Sequence, residues 1–180
     1  MRILVFDDSP QNQQSARAQF KDHDLTVIGT FNEASDLLTP LVYGDQPNPK
    51  FRKFDVVLTD MMVPASDRSL GGSARNYAGQ EMPLGSIIAL QALYAGVKKV
   101  ALVTDTNHHD HPASAALDSF QGGMEKPSLV GDASLYCTNY NVNGVFDAET
   151  FEQLEKDADH RSRKVVWAKD WAKALKTLLR

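Results

Sequence analysis

Asp55-Val56-Val57-Leu58-Thr59-Asp60 decides the fold: four consecutive β-compatible residues, without polar alternation, end on a carboxylate. Successive strand side chains point to opposite faces, so a strand apolar on both must be covered on both, as in a parallel sheet between helices. Arg2-Ile3-Leu4-Val5-Phe6-Asp7-Asp8-Ser9-Pro10 repeats the pattern at the start of the chain. Here Ser9 is placed to accept from the free amides of a first helical turn and Pro10 suits its first position, which predicts a helix through about residue 20.

Working outward, residues 25–29 read as a second strand, and Asn32 as the cap of a helix over 32–41. The third strand, 54–58, delivers Thr59 and Asp60. Residues 83–96 have helical spacing, with Ile87, Leu90, Leu93 and Tyr94 on one face and Gly96 as the stop. Residues 99–103 form a fourth strand leading to Thr104, and 112–120 a short helix. Helix 147–157 is capped by Asp147, 165–168 is the last sheet strand, and Asp170 caps a final helix whose Trp171, Ala174, Leu175, Leu178 and Leu179 share a core face. Segments 65–82 and 121–146 read as insertions after strands three and four, the second containing a strand-like piece at 134–136 with no assigned place. Alternating strands and helices predict an α/β, doubly wound parallel sheet with function at the carboxyl ends of its strands.

The 180 residues, 42% hydrophobic and 23% charged, fit one domain spanning 1–180. A net charge of -4 argues against direct nucleic-acid binding, which favours a basic patch. A strand directly after Met1, and no run of about 18 apolar residues, predict a cytoplasmic protein without membrane contact. The single cysteine, Cys137, reads as a small buried side chain. His108-His109-Asp110-His111 invites a transition-metal reading, but adjacent loop side chains rarely converge on an ion without distant ligands. A polar loop before a helix is the expectation.

The strand ends carry the chemistry. Asp7, Asp8 and Asp60 meet at one sheet edge, where three carboxylates repel unless a cation neutralises them. Mg2+ is the simplest hard cation for such oxygens. Thr104 and Lys169 at the same edge complete a cradle for phosphoryl oxygens, and an aspartate can be the nucleophile.

These residues resemble the receiver domains of two-component response regulators. Ile3 to Asp8 is similar to the first strand and acidic pair of that family. Asp55 to Pro64 resembles its phosphoacceptor strand with a proline four residues past the aspartate. Ala101-Leu102-Val103-Thr104 and Val165-Val166-Trp167-Ala168-Lys169 are similar to its hydroxyl-bearing and lysine-bearing strand ends. The resemblance implies a flavodoxin-like sheet of five parallel strands in the order 2-1-3-4-5. It implies phosphorylation of Asp60, with Mg2+ held by Asp7, Asp8, Asp60 and the Met62 backbone carbonyl, and Thr104 and Lys169 on the phosphoryl oxygens. Any enzymatic activity would be self-phosphorylation from a phosphodonor and autodephosphorylation. The implied donor is a sensor histidine kinase or a histidine phosphotransfer protein, and the output is contact with a downstream protein or homodimer formation.

The chain departs from the family in three places. Asp170 stands where proline usually follows the lysine, and Asp105 adds an acid after Thr104. Val166 occupies the position of the switch aromatic, with Trp167 on the opposite strand face. Two rival readings follow. One is a pseudo-receiver that signals without phosphorylation. The other is an aspartyl-phosphate phosphatase of the haloacid-dehalogenase type, which needs an aspartate where Ser9 stands.

Overall fold

The structure, a computed structural model, describes residues 1–42, 45–66, 72–106, 109, 111–120, 126–138, 143–144 and 168–180. Six strands form one sheet: β1 (Arg2–Phe6), β2 (Asp24–Ile28), β3 (Val56–Thr59), β4 (Lys99–Val103), β5 (Ser128–Val130) and β6 (Ala133–Thr138). Their order is β2-β1-β3-β4-β6-β5. All neighbours are parallel except the β5–β6 hairpin at the edge, where Gly131, at φ 61, supplies the left-handed turn. The described helices are α1 (Pro10–Gln19), α2 (Phe31–Leu38), α3 (Leu84–Tyr94), α4 (Pro112–Ala116) and α5 (Trp171–Leu178).

The two-residue period of the strands sorts the core into two layers. Ile3, Val5, Val56, Leu58, Ala101 and Val103 face α1 and α5, meeting Ala16, Phe20, Trp171 and Leu175. Leu4, Phe6, Val57, Val100 and Leu102 face α2 and α3, meeting Phe31, Leu38, Ile88 and Ala92. The α/β class with a mainly parallel sheet is therefore as expected. In α5 the expected stripe is core: Trp171, Ala174, Leu175 and Leu178 are buried, although Leu179 is half exposed. Each large one of these contributes roughly 2 kcal/mol.

Strand count and order differ from expectation. The fifth place in the sheet belongs to Ala133–Thr138, which pairs in parallel with β4 from Ser134↔Lys99 to Thr138↔Val103. Residues 165–167 lie outside the described residues. Ala168–Lys169 pairs antiparallel with Asn143–Gly144, apart from the main sheet. The supposed insertion at 121–146 thus supplies two sheet strands. That at 65–82 folds back so that Glu81–Met82 pairs with Val63–Pro64, around a 3-10 turn at Gly72–Tyr77.

Local signals were also reassigned. Thr30, not Asn32, caps α2: its hydroxyl accepts from the Glu33 amide at 3.3 Å and donates to Glu33 Oε2 at 2.8 Å. The Ser9 side chain makes no cap bond to α1. In α3, Ile87, Leu90 and Tyr94 share a face, but that face is exposed, while Gly85, Ile88, Ala89 and Ala92 are buried. Gly85 sets this rotation. Its amide donates to the Met61 carbonyl at 3.0 Å, and a Cβ there would lie 1.6 Å from the Asp60 carbonyl oxygen.

Because only backbone surrounds that Cβ, Gly85→Ala is expected to cost more than ~2 kcal/mol in urea unfolding, against about 1 kcal/mol for Gly96→Ala, where φ is 86 but space is open. Equal costs would show that α3 does not approach β3 this closely.

Candidate functional site

β1 and β3 are neighbours in register, Phe6 opposite Thr59, so their next residues, Asp7 and Asp60, emerge together at the carboxyl edge of the sheet. The Asp60 amide donates to the Phe6 carbonyl at 2.7 Å and fixes the two ends. Oxygens of Asp7, Asp8 and Asp60 lie within 4.8 Å of one another. Asp7 and Asp60 are buried, whereas Asp8 is partly exposed.

Lys169 closes the group from the other end of the chain. Its Nζ lies 2.8 Å from Asp7 Oδ2 and 2.7 Å from Asp60 Oδ1. Asp60 Oδ1 also accepts from the Met61 amide at 2.6 Å, while Oδ2 accepts no hydrogen bond among the described residues. Among the described residues one carboxylate oxygen is therefore clamped and the other is not. Asp170 caps α5 directly after the lysine, its carboxylate accepting from the Lys173 amide at 2.9 Å.

Burial dominates the electrostatics. It pushes the Asp60 carboxyl up to about 7; the lysine opposes this, and the charges of Asp7 and Asp105 reinforce it. Asp7 is raised by burial too, against the Lys169 cation, the Ser9 amide and Asn12. Burial alone would lower Lys169, but Asp60, Asp7 and Asp105 outweigh it and hold the ammonium above the ordinary lysine value.

Thr104 follows β4 at the same edge and is buried, its hydroxyl accepting from the Thr106 amide at 3.1 Å. Met62, two residues past Asp60, is partly buried against the core. Asp105 is exposed. Two functional neighbours escaped the sequence reading. Glu81 is brought back by the Val63–Pro64 pairing, and its carboxyl is raised by partial burial and then by Asp8 and Asp105. Asn12 in α1 is buried, and its Nδ2 donates to both Asp7 oxygens, at 3.2 and 3.1 Å.

Other candidates fall outside the site. Cys137 is buried in β6, and burial pushes its thiol up to about 11, which suits packing rather than nucleophilic chemistry. His111 Nδ1 accepts from the Ala113 amide at 3.1 Å and caps α4, while His108 and Asp110 lie outside the described residues. At the opposite sheet edge a cavity of about 580 Å3 is lined in part by Arg2, Lys98 and Lys99. Those cations are engaged by Asp55, Asp132 and the Leu178 carbonyl respectively. Among the described residues no helix is long and apolar enough to cross a membrane.

Between pH 3.8 and about 7 native metal-free protein keeps an Asp60 proton that the unfolded chain has released, so stability falls as pH rises through this window. The expected loss is roughly 2 to 4 kcal/mol. Asp60→Asn should therefore raise the urea midpoint at about pH 8 and barely change it at about pH 3. A less stable variant at the higher pH would mean that the Lys169 ion pair outweighs burial. No protein family, curated protein or solved structure matches the chain.

Proposed function

We propose that the chain is a receiver-type phosphoacceptor module of a two-component pathway, with Asp60 as the residue that accepts the phosphoryl group. The observation that carries this reading is the clamped Asp60: Oδ1 held by Lys169 and the Met61 amide, Oδ2 without a hydrogen bond among the described residues, at a sheet edge shared with Asp7 and Asp8. A flavodoxin-like arrangement of the sheet supports it, although the fifth place holds Ala133–Thr138.

The chemistry asks little of the protein beyond positioning and charge compensation. Asp60 Oδ2 forms the new P–O bond as the P–N bond of a phosphohistidine donor breaks, and that bond's electron pair returns to the imidazole nitrogen, which takes up a proton. Lys169 is already beside Asp60 and compensates the charge of the phosphoryl oxygens, with the Thr104 hydroxyl at the same edge as a further donor. The close set of oxygens from Asp7, Asp8 and Asp60 fits a hard divalent cation, and the Met62 carbonyl would complete the protein ligands. Mg2+, when bound there, supplies further neutralisation of phosphoryl charge. Partners are then a sensor histidine kinase or phosphotransfer protein and a downstream protein.

Asp105 and Glu81 favour one rival. They add carboxylate charge beside Asp60 and Asp8, as a pseudo-receiver that keeps the acids without phosphorylation would tolerate.

Wild-type protein incubated with acetyl phosphate and Mg2+ should gain the mass of one phosphoryl group, and Asp60→Asn should gain none. A wild type left unmodified by acetyl phosphate and by a phosphohistidine donor would favour the pseudo-receiver. Steady phosphate release that needs Asp7 but not Asp60 would point to a phosphatase. Mg2+ should also raise the melting temperature of wild type more than that of Asp8→Asn. Equal shifts would remove Asp8 from the metal site.

A further inference from the structure

Lys169 reaches the acids without belonging to the main sheet. Among the described residues its two-residue strand pairs with Asn143–Gly144 and not with the main sheet, so that sheet does not set its position. One face of α1 does. Asn12 Oδ1 accepts from the Lys169 amide at 3.1 Å. The Lys169 carbonyl accepts from Ser15 Oγ at 2.8 Å and from Gln19 Nε2 at 3.0 Å. Gln19 Oε1 then accepts from the Ala172 amide at 2.6 Å, and the Asn12 carbonyl accepts from the Trp171 indole at 3.0 Å. Both backbone groups of Lys169 are thus held by side chains spaced at i, i+3 and i+7 on one helix.

Asn12 also donates to both oxygens of Asp7, which is itself 2.8 Å from the lysine ammonium. The side-chain amide therefore fixes the acid and the lysine backbone, while the backbone carbonyl of the same residue holds the first residue of α5. A buried side-chain amide with both ends satisfied is a rigid link, because breaking either bond leaves a buried polar group without a partner.

From this geometry we infer that Asn12 is a positioning residue for the phosphoryl-transfer site, holding Lys169 against Asp7 and Asp60, with Ser15 and Gln19 as its support along α1. The assignment rests on the phosphoacceptor reading for its chemical consequence and on geometry alone for the placement of Lys169. Asn12 touches no reacting atom. It acts through the lysine and the acid that it ties together.

The test has two arms on the full chain. The first follows acetylation of individual lysines by acetic anhydride and peptide mass spectrometry, with Lys99, anchored at 2.8 Å on the Leu178 carbonyl, as the internal reference for general loosening. Asn12→Ala is expected to raise the Lys169 rate about tenfold relative to Lys99, as loss of roughly 1.4 kcal/mol of restraint would. Ser15→Ala should give a smaller rise and serves if Asn12→Ala fails to fold. An unchanged ratio overturns the proposal, as does an equal rise at both lysines. The second arm measures Asp60 phosphorylation by acetyl phosphate in a double-mutant cycle with Lys169→Ala. Asn12→Ala should slow the reaction about tenfold in the presence of Lys169 and clearly less in its absence, where only the Asp7 contact remains to be lost; equal losses in both backgrounds overturn the proposal. If wild type takes up no phosphoryl group, the phosphoacceptor reading fails, while the acetylation arm still decides where Asn12 holds the lysine.

Discussion

The buried contact of Lys169 with Asp7 and Asp60 is the constraint on which the rest of the structure depends. An ammonium and two carboxylates, all nearly sealed from water, are stable together only if each has partners, since a single buried charge left alone costs several kcal/mol. Parallel pairing of β1 with β3 brings the acids side by side, and α1 brings the lysine to them across most of the sequence. The satisfied network is also what α5 stands on. Trp171 seals the lysine from below, with Nζ 5.5 Å from its ring centroid.

The same contact explains the uneven electrostatics. Burial raises Asp60 further than the lysine can lower it, so the metal-free site favours a shared proton near neutral pH. Such a site has an evident appetite for positive charge. Asp8, Glu81 and Asp105 stand around it with more exposure and add to the negative potential at the sheet edge. A divalent cation would complement that arrangement alone, whereas an anionic phosphoryl donor would do so only with the cation in place.

Much of this was legible in the residues. Apolar runs ending at Asp7 and Asp60 announced a parallel sheet with acids at its carboxyl edge, and Asp170 and the Trp171 stripe were read correctly as cap and core. Other features were hidden by competition between signals. Ala133–Thr138 sits among turn residues that mask its pattern; its pairing with β4 is a long-range choice. In α3 two apolar faces compete, and Gly85's close approach to β3 decides for the smaller side chains, a steric fact invisible to periodicity. Glu81 depends on a pairing across a long loop. Asn12 had a readable signal: α1 is polar nearly all round, which is unusual for a helix packed on a sheet, and implied that its polar face was engaged.

The central claim is that Asp60 carries the phosphoryl group. Its most direct test is borohydride reduction of protein treated with acetyl phosphate and Mg2+, which converts an aspartyl phosphate to homoserine, followed by peptide sequencing by mass spectrometry. Homoserine is expected at position 60, dependent on Mg2+. Homoserine at any other aspartate, or at none, would contradict the claim.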